Sequence, residues 1–195
     1  MNTYRFKKPY YERLINMPMR NLGYYLAGFV DGEGCFSISL SYHKTARYGF
    51  FVNPIFQVYQ HPHHREILEI FQWVFKTGKI RRKSPTNHGL VYCVDGNRNI
   101  IEKVIPFFEK FPLAVKSNEF LKFKKITEFL LEKKHHTKEG MIEIINIAYS
   151  MNMQGKQRAR LKSDLIKIVE SNNNLTLQKP SETTRQTSID KLMKI

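Results

Sequence analysis

The run Tyr24-Tyr25-Leu26-Ala27-Gly28-Phe29-Val30-Asp31-Gly32-Glu33-Gly34 ends an apolar, helix-like stretch in two carboxylates framed by glycines. The carbonyls at the C-terminal end of a helix carry partial negative charge, so carboxylates placed there are disfavoured unless a cation sits nearby. A divalent metal is one such cation. On the residues alone, Asp31 and Glu33 are equally consistent with a solvated, helix-terminating turn. Leu22, Tyr25, Leu26, Phe29 and Val30 keep helical spacing, while Ala27 and Gly28 leave a narrow strip on which a second backbone can approach closely. Gly32 and Gly34 are expected to stop the helix.

These carboxylates stand in a strongly basic chain. Its 195 residues carry a formal net charge of +15 and a pI near 9.8. Self-repulsion of that size is tolerated best where phosphates neutralise it, which points to nucleic acid. A membrane is disfavoured, because no apolar run approaches the roughly 20 residues that span a bilayer and no secretory signal is visible. With 42% hydrophobic residues the chain can build one well-buried core. The expected organisation is an N-terminal extension over 1–20, one domain over 21–170 and a polar tail over 171–195, with a short helix at Ser188–Met193. The extension, basic at Arg5, Lys7, Lys8, Arg13 and Arg20, resembles a transit peptide less than a segment that touches DNA or packs over the fold, given Glu12 and its aromatics. Cys35 and Cys93 are far apart and flanked by strand-forming residues, which predicts reduced, partly buried thiols.

From Cys35 to Tyr42 the pattern alternates strictly, with Phe36, Ile38, Leu40 and Tyr42 on a dry face and Ser37, Ser39, Ser41 and His43 on the other. After a turn through Lys44-Thr45-Ala46-Arg47, a second alternation puts Phe50, Val52, Phe56 and Val58 inward and Asn53, Gln57 and Tyr59 outward, completing a hairpin. Residues 65–76 return to helical spacing, and a second hairpin follows near Lys79–Lys83 and Leu90–Val94. Helices are predicted near Asn97–Phe108, Lys116–Lys133, Lys138–Met151 and Gln157–Val169.

Charge placement supports a nucleic-acid surface on the two hairpins. No acidic residue lies between Gly34 and Arg65 or between Ile70 and Val94, whereas Lys44, Arg47, Lys79, Arg81, Arg82 and Lys83 do. The outward side chains are those that read base edges in a major groove: Arg81 and Lys83 suit guanine, Asn53 and Gln57 suit adenine. In His61-Pro62-His63-His64-Arg65, Pro62 breaks any regular zinc-ligand spacing, and a strand-to-helix loop near phosphate is expected instead.

Leu26-Ala27-Gly28-Phe29-Val30-Asp31-Gly32-Glu33-Gly34 fills the nine positions of the LAGLIDADG motif, and the chain resembles the single-motif LAGLIDADG homing endonucleases. The resemblance implies an α+β fold with an αββαββα core, a four-stranded antiparallel sheet laid along DNA, and additional C-terminal helices. It implies that Glu33 and the Gly32 carbonyl bind a divalent metal and that Asp31 is mainly structural, near the helix end and the subunit interface. Gln60 matches a residue that holds solvent near the scissile phosphate, and His64, with Arg65 beside it, falls where the family carries a basic partner. Lys116, after a proline-containing bend, resembles the active-site lysine that stabilises phosphate charge. Lys156, Arg158 and Arg160 fall in a segment that meets the DNA backbone. With one motif present, the expected assembly is a homodimer joined through Leu22, Tyr25, Ala27, Gly28 and Asp31, with both Glu33 side chains at the centre of a long pseudo-palindromic site. Magnesium is the expected cofactor, with manganese able to substitute and calcium supporting binding without cleavage. An organelle, chloroplast or mitochondrion, is the implied location. Two rivals share the fold: an RNA maturase, disfavoured by the single motif, and a non-catalytic DNA-binding regulator, disfavoured by the intact Glu33, Gln60 and Lys116.

Overall fold

The computed structural model describes residues 9–84, 86, 88–152 and 159–172. Helix α1 (Pro9–Asn16) leads into α2 (Met19–Glu33), followed by β1 (Gly34–Tyr42), β2 (Phe50–Gln60), α3 (Arg65–Phe75), β3 (Lys79–Arg82) and β4 (Leu90–Asp95). The strands form one antiparallel sheet in the order β1-β2-β4-β3. The fold is the α+β architecture expected, with every helix-to-strand alternation of the first 95 residues in place.

The dry face of the sheet is apolar and strongly aromatic. Phe36, Ile38, Phe56, Val58, Tyr92 and Val94 are almost fully buried, beneath Leu22, Leu26 and Val30 of α2 and Ile67, Leu68, Ile70 and Phe71 of α3. Phe36 stacks on Phe56 at 5.2 Å between ring centroids and meets Phe108, Phe120 and Phe123 at 5.3–5.5 Å. Such a cluster anchors the sheet, since truncating a buried Phe to Ala typically costs about 3–5 kcal/mol. Tyr92 keeps its hydroxyl inside by donating to the Thr77 carbonyl at 2.9 Å. Tyr42, read as the last residue of the dry face, instead lies 49% exposed at the end of edge strand β1, its ring edge-on to Phe50.

After β4 the chain runs through α4 (Asn97–Asn99) and a π-helical turn (Ile100–Val104) into α5 (Ile105–Lys110). Pro106 explains the irregularity: it has no N–H to give, and the preceding Ile105 N–H reaches back to Ile100. Helices α6 (Ser117–Leu131), α7 (Lys138–Tyr149) and α8 (Lys162–Ser171) follow, each a little shorter than or offset from its sequence reading. Residues 153–158, with the expected start of the last helix at Gln157, and the helix expected at Ser188–Met193 lie outside the described residues. In the extension, α1 packs on the fold through Tyr11, Leu14 and Ile15.

Among the described residues no helix is long and apolar enough to cross a membrane.

Two expectations about α2 are corrected. Gly32 does not stop the helix, which continues to Glu33. The break falls at Gly34, where a Cβ would stand 2.4 Å from a Val30 methyl and 2.7 Å from the Val30 carbonyl oxygen, so only glycine lets the strand leave so tightly. The small-residue strip also divides. Ala27 and Leu22 face the chain's own core and are not available to a partner, whereas Gly28 faces out with nothing within 4 Å of a Cβ placed there. The close helix contact inside the chain belongs to Gly23, whose missing side chain admits the Phe111 ring.

Candidate active site and nucleic-acid interface

Glu33 is the last residue of α2 and is exposed. The carbonyls around it are satisfied from far along the chain. Gly34 N–H caps the Val30 carbonyl, and the Lys116 ammonium donates to the carbonyls of Val30 and Gly32, each at 3.1 Å, and to that of Asp31 between them. The cation that a helix C-terminus favours is therefore this lysine in the protein alone. Asp31 ties the same loop down: its Oδ2 accepts from the Ala114 N–H at 2.8 Å and its Oδ1 from the Lys116 N–H at 2.9 Å. Burial pushes the Asp31 carboxyl up, but the N–H groups of Lys116, Ala114 and Val115 together with the Lys116 charge outweigh it, leaving the pKa lowered. The stabilisation this provides is present above the ordinary carboxylate range and is lost as pH falls through the lowered value. Both Asp31 oxygens are thus engaged within the chain, which suits the structural role and not a contact across a dimer axis.

The oxygen chemistry at the end of α2 fits a hard divalent cation, with the Glu33 carboxylate and the Gly32 carbonyl as the donors present. Among the described residues no group of three or more His, Cys, Asp or Glu could hold a metal. Any divalent cation held at this helix end would need oxygens beyond these two to complete its shell.

Gln60 ends β2. That strand passes Gly34 at Val58, two residues earlier, which puts Gln60 at the same end of the sheet as Glu33. Its Oε1 accepts from the His61 N–H at 2.6 Å. His61 in turn caps the short 3-10 turn Pro62–His64, its Nδ1 accepting from the His63 N–H at 3.3 Å. The histidines therefore shape the entry to α3, and Arg65, expected near phosphate, pairs with Glu69 at 2.8 Å.

The wet face of the sheet is organised in cross-strand rows. One runs Cys35, Gln57, Cys93, Lys79; the next towards the end of β2 runs Tyr59, Val91, Arg81. On the other side come Ser37, Ile55, Asp95, then Ser39 with Asn53, then Ser41 with Phe51. The Tyr59 hydroxyl donates to Gln57 Oε1 at 2.9 Å, and the Lys83 ammonium sits 4.9 Å from the Tyr59 ring centroid, so the centre of this face is already ordered. Val91 and Cys93 face outward yet are buried by these long neighbours. Cys35 and Cys93 are separated by the whole of β2, about 10 Å at ordinary strand spacing, too far for a disulfide. Lys44 and Arg47 are exposed in the hairpin turn beside His43, which bonds Thr45 at 2.8 Å. Sequence reading passed over Phe51, Ile55 and Asp95; continuing the alternation through the apolar residues and pairing β4 with β2 would have placed all three on this face. Arg160 stacks over the exposed Tyr42 ring at 5.4 Å, while Lys156 and Arg158 lie outside the described residues. Asn152 braces edge strand β1, donating to the Phe36 carbonyl at 2.8 Å.

The family model described as LAGLIDADG endonuclease matches residues 26–127. DNA endonuclease I-CeuI of Chlamydomonas moewusii is 38% identical over 125 residues, 62% of this chain and 57% of that protein, so the chain spans little more than half of this relative. An archaeal intron-encoded homing endonuclease, I-Vdi141I, solved in complex with DNA, superimposes with a TM-score of 0.73 at 25% identity, covering 80% of this chain and 98% of the other. I-SmaMI, solved on an uncleaved DNA target in the presence of calcium ions, gives a TM-score of 0.64 at 30% identity over 67% of this chain and 44% of its own.

Proposed function

The chain belongs to the LAGLIDADG endonuclease family, and from that premise we propose that it is a site-specific DNA endonuclease that works as a homodimer on a long pseudo-palindromic site. The observation that carries this reading is the exposed Glu33 carboxylate at the end of α2, beside a sheet whose wet face is polar and basic. The functional unit is residues 21–170 with α1 packed on it, and the location is an organelle by family likeness. Incubating the protein with a randomised duplex library and magnesium, then sequencing the cut ends, tests the reading; a library left uncut, or cut without sequence preference, overturns it.

Glu33 and the Gly32 carbonyl are the groups that hold a divalent cation, magnesium or manganese. When bound, such an ion offsets charge on the phosphate under attack. The chain's own residues do the remainder. Wet-face side chains fix the register of the duplex, Gln60 orients solvent near the scissile phosphate, and Asp31 holds the loop that carries Lys116 against the helix end. Lys116 then lies beside Glu33, where its ammonium offsets negative charge that develops during cleavage.

Dimerisation is assigned to the outward face of α2, formed by Asn21, Tyr24, Tyr25, Gly28 and Gly32, in place of the inward Leu22 and Ala27. Two copies meeting there bring their Glu33 side chains to one centre, one for each strand. Because Gly28 has open space around it in the single chain, Gly28→Val leaves the monomer fold intact and separates only a partner helix. Overpacking of this kind costs about 1–3 kcal/mol, so dimer dissociation should rise by about tenfold or more in sedimentation equilibrium. An unchanged dimer would move the interface elsewhere.

A further inference from the structure

Asp95 ends β4 and is the one carboxylate among the described outward-facing residues of the four strands. In its row stand Ile55, which has no polar atom on its side chain, and Ser37, whose hydroxyl is committed to the Ile55 carbonyl at 3.4 Å. Asn99 bonds the Asp95 backbone carbonyl, leaving the exposed side chain to face outward. A carboxylate brought against a polyanion is unfavourable unless it accepts a hydrogen bond there. The major groove presents such donors only at the exocyclic amino groups of cytosine and adenine, while guanine and thymine offer acceptor oxygens to a group that can only accept. Cytosine, whose own major-groove edge carries the N4 amino group and no acceptor, is the better match, since adenine sets its N7 acceptor beside N6. Resting on the endonuclease reading above, we propose that Asp95 is a specificity-determining residue that selects cytosine at one position of each half-site.

The test uses the whole 195-residue chain and the target recovered from the randomised library. Affinities are measured for duplexes carrying each base at each half-site position, at two salt concentrations, for the wild type, Asp95→Ala, Asp95→Asn and, as a reference, Arg81→Ala. The wild type should prefer cytosine at one symmetric pair of positions by about tenfold per half-site. Asp95→Ala should flatten that position alone. Asp95→Asn should move its preference towards adenine, whose N6 and N7 an amide can pair together. Arg81→Ala should relax a guanine at a different position. Uniformly tighter binding of every duplex by both Asp95 variants, with no position altered, would overturn the proposal and make Asp95 a charge that merely opposes phosphate. A wild type without sequence preference overturns the endonuclease reading itself, and that result appears before any variant is compared.

Discussion

Glu33→Gln is expected to abolish metal-dependent strand cleavage while leaving DNA affinity within about twofold, since an exposed isosteric change removes charge and not packing. The size of the effect follows from the poverty of the site. Among the described residues no cluster of three or more His, Cys, Asp or Glu gathers at this helix end, so the Glu33 carboxylate has little to stand in for its charge. The Gly32 carbonyl remains, but it is neutral and already shared with Lys116. Single-turnover cleavage across a magnesium titration reads the loss, and gel-shift affinity in calcium reads what survives. Cutting at the wild-type metal concentration would remove Glu33 from the site.

Lys116→Met is expected to act twice. Cleavage under saturating enzyme should fall by one or more orders of magnitude if the ammonium offsets charge that develops only in the transition state. The fold should also lose about 1–2 kcal/mol, because carbonyls at the end of α2 lose a charged donor. Thermal unfolding and single-turnover rates separate the two contributions. A lower melting temperature with an unaltered rate would make Lys116 a helix cap and nothing more. Weaker DNA binding with an unaltered saturated rate would make it a phosphate anchor.

The strands and the acidic helix were legible because their signals are local: period-two alternation in 34–42 and 50–60, and period-3.6 apolar spacing in α2 and α3. What the chain does at long range was not. Ala27 and Gly28 are adjacent small residues, yet a helix turns about 100° between them, and only the position of the core decides which faces a partner. Gly32 reads as a helix breaker, with a cost of about 1 kcal/mol against alanine. It stays helical because Lys116 secures its own carbonyl and those of Val30 and Asp31 before it. Asp95 was hidden for a similar reason, since a residue next to a glycine turn acquires a face only when its strand finds a neighbour.

The bonds between Asp31 and the loop at Ala114 and Lys116 join positions 83 and 85 residues apart, with the whole sheet between them. Closing a free loop of that length costs about 4 kcal/mol in chain entropy, a cost that disappears once the intervening strands are in place. The helix end carrying Glu33 is therefore expected to be secured late in folding, after the sheet. Asp31→Asn should accordingly speed unfolding and leave the refolding rate almost unchanged, and a matching slowdown in refolding would place this closure in the nucleus instead.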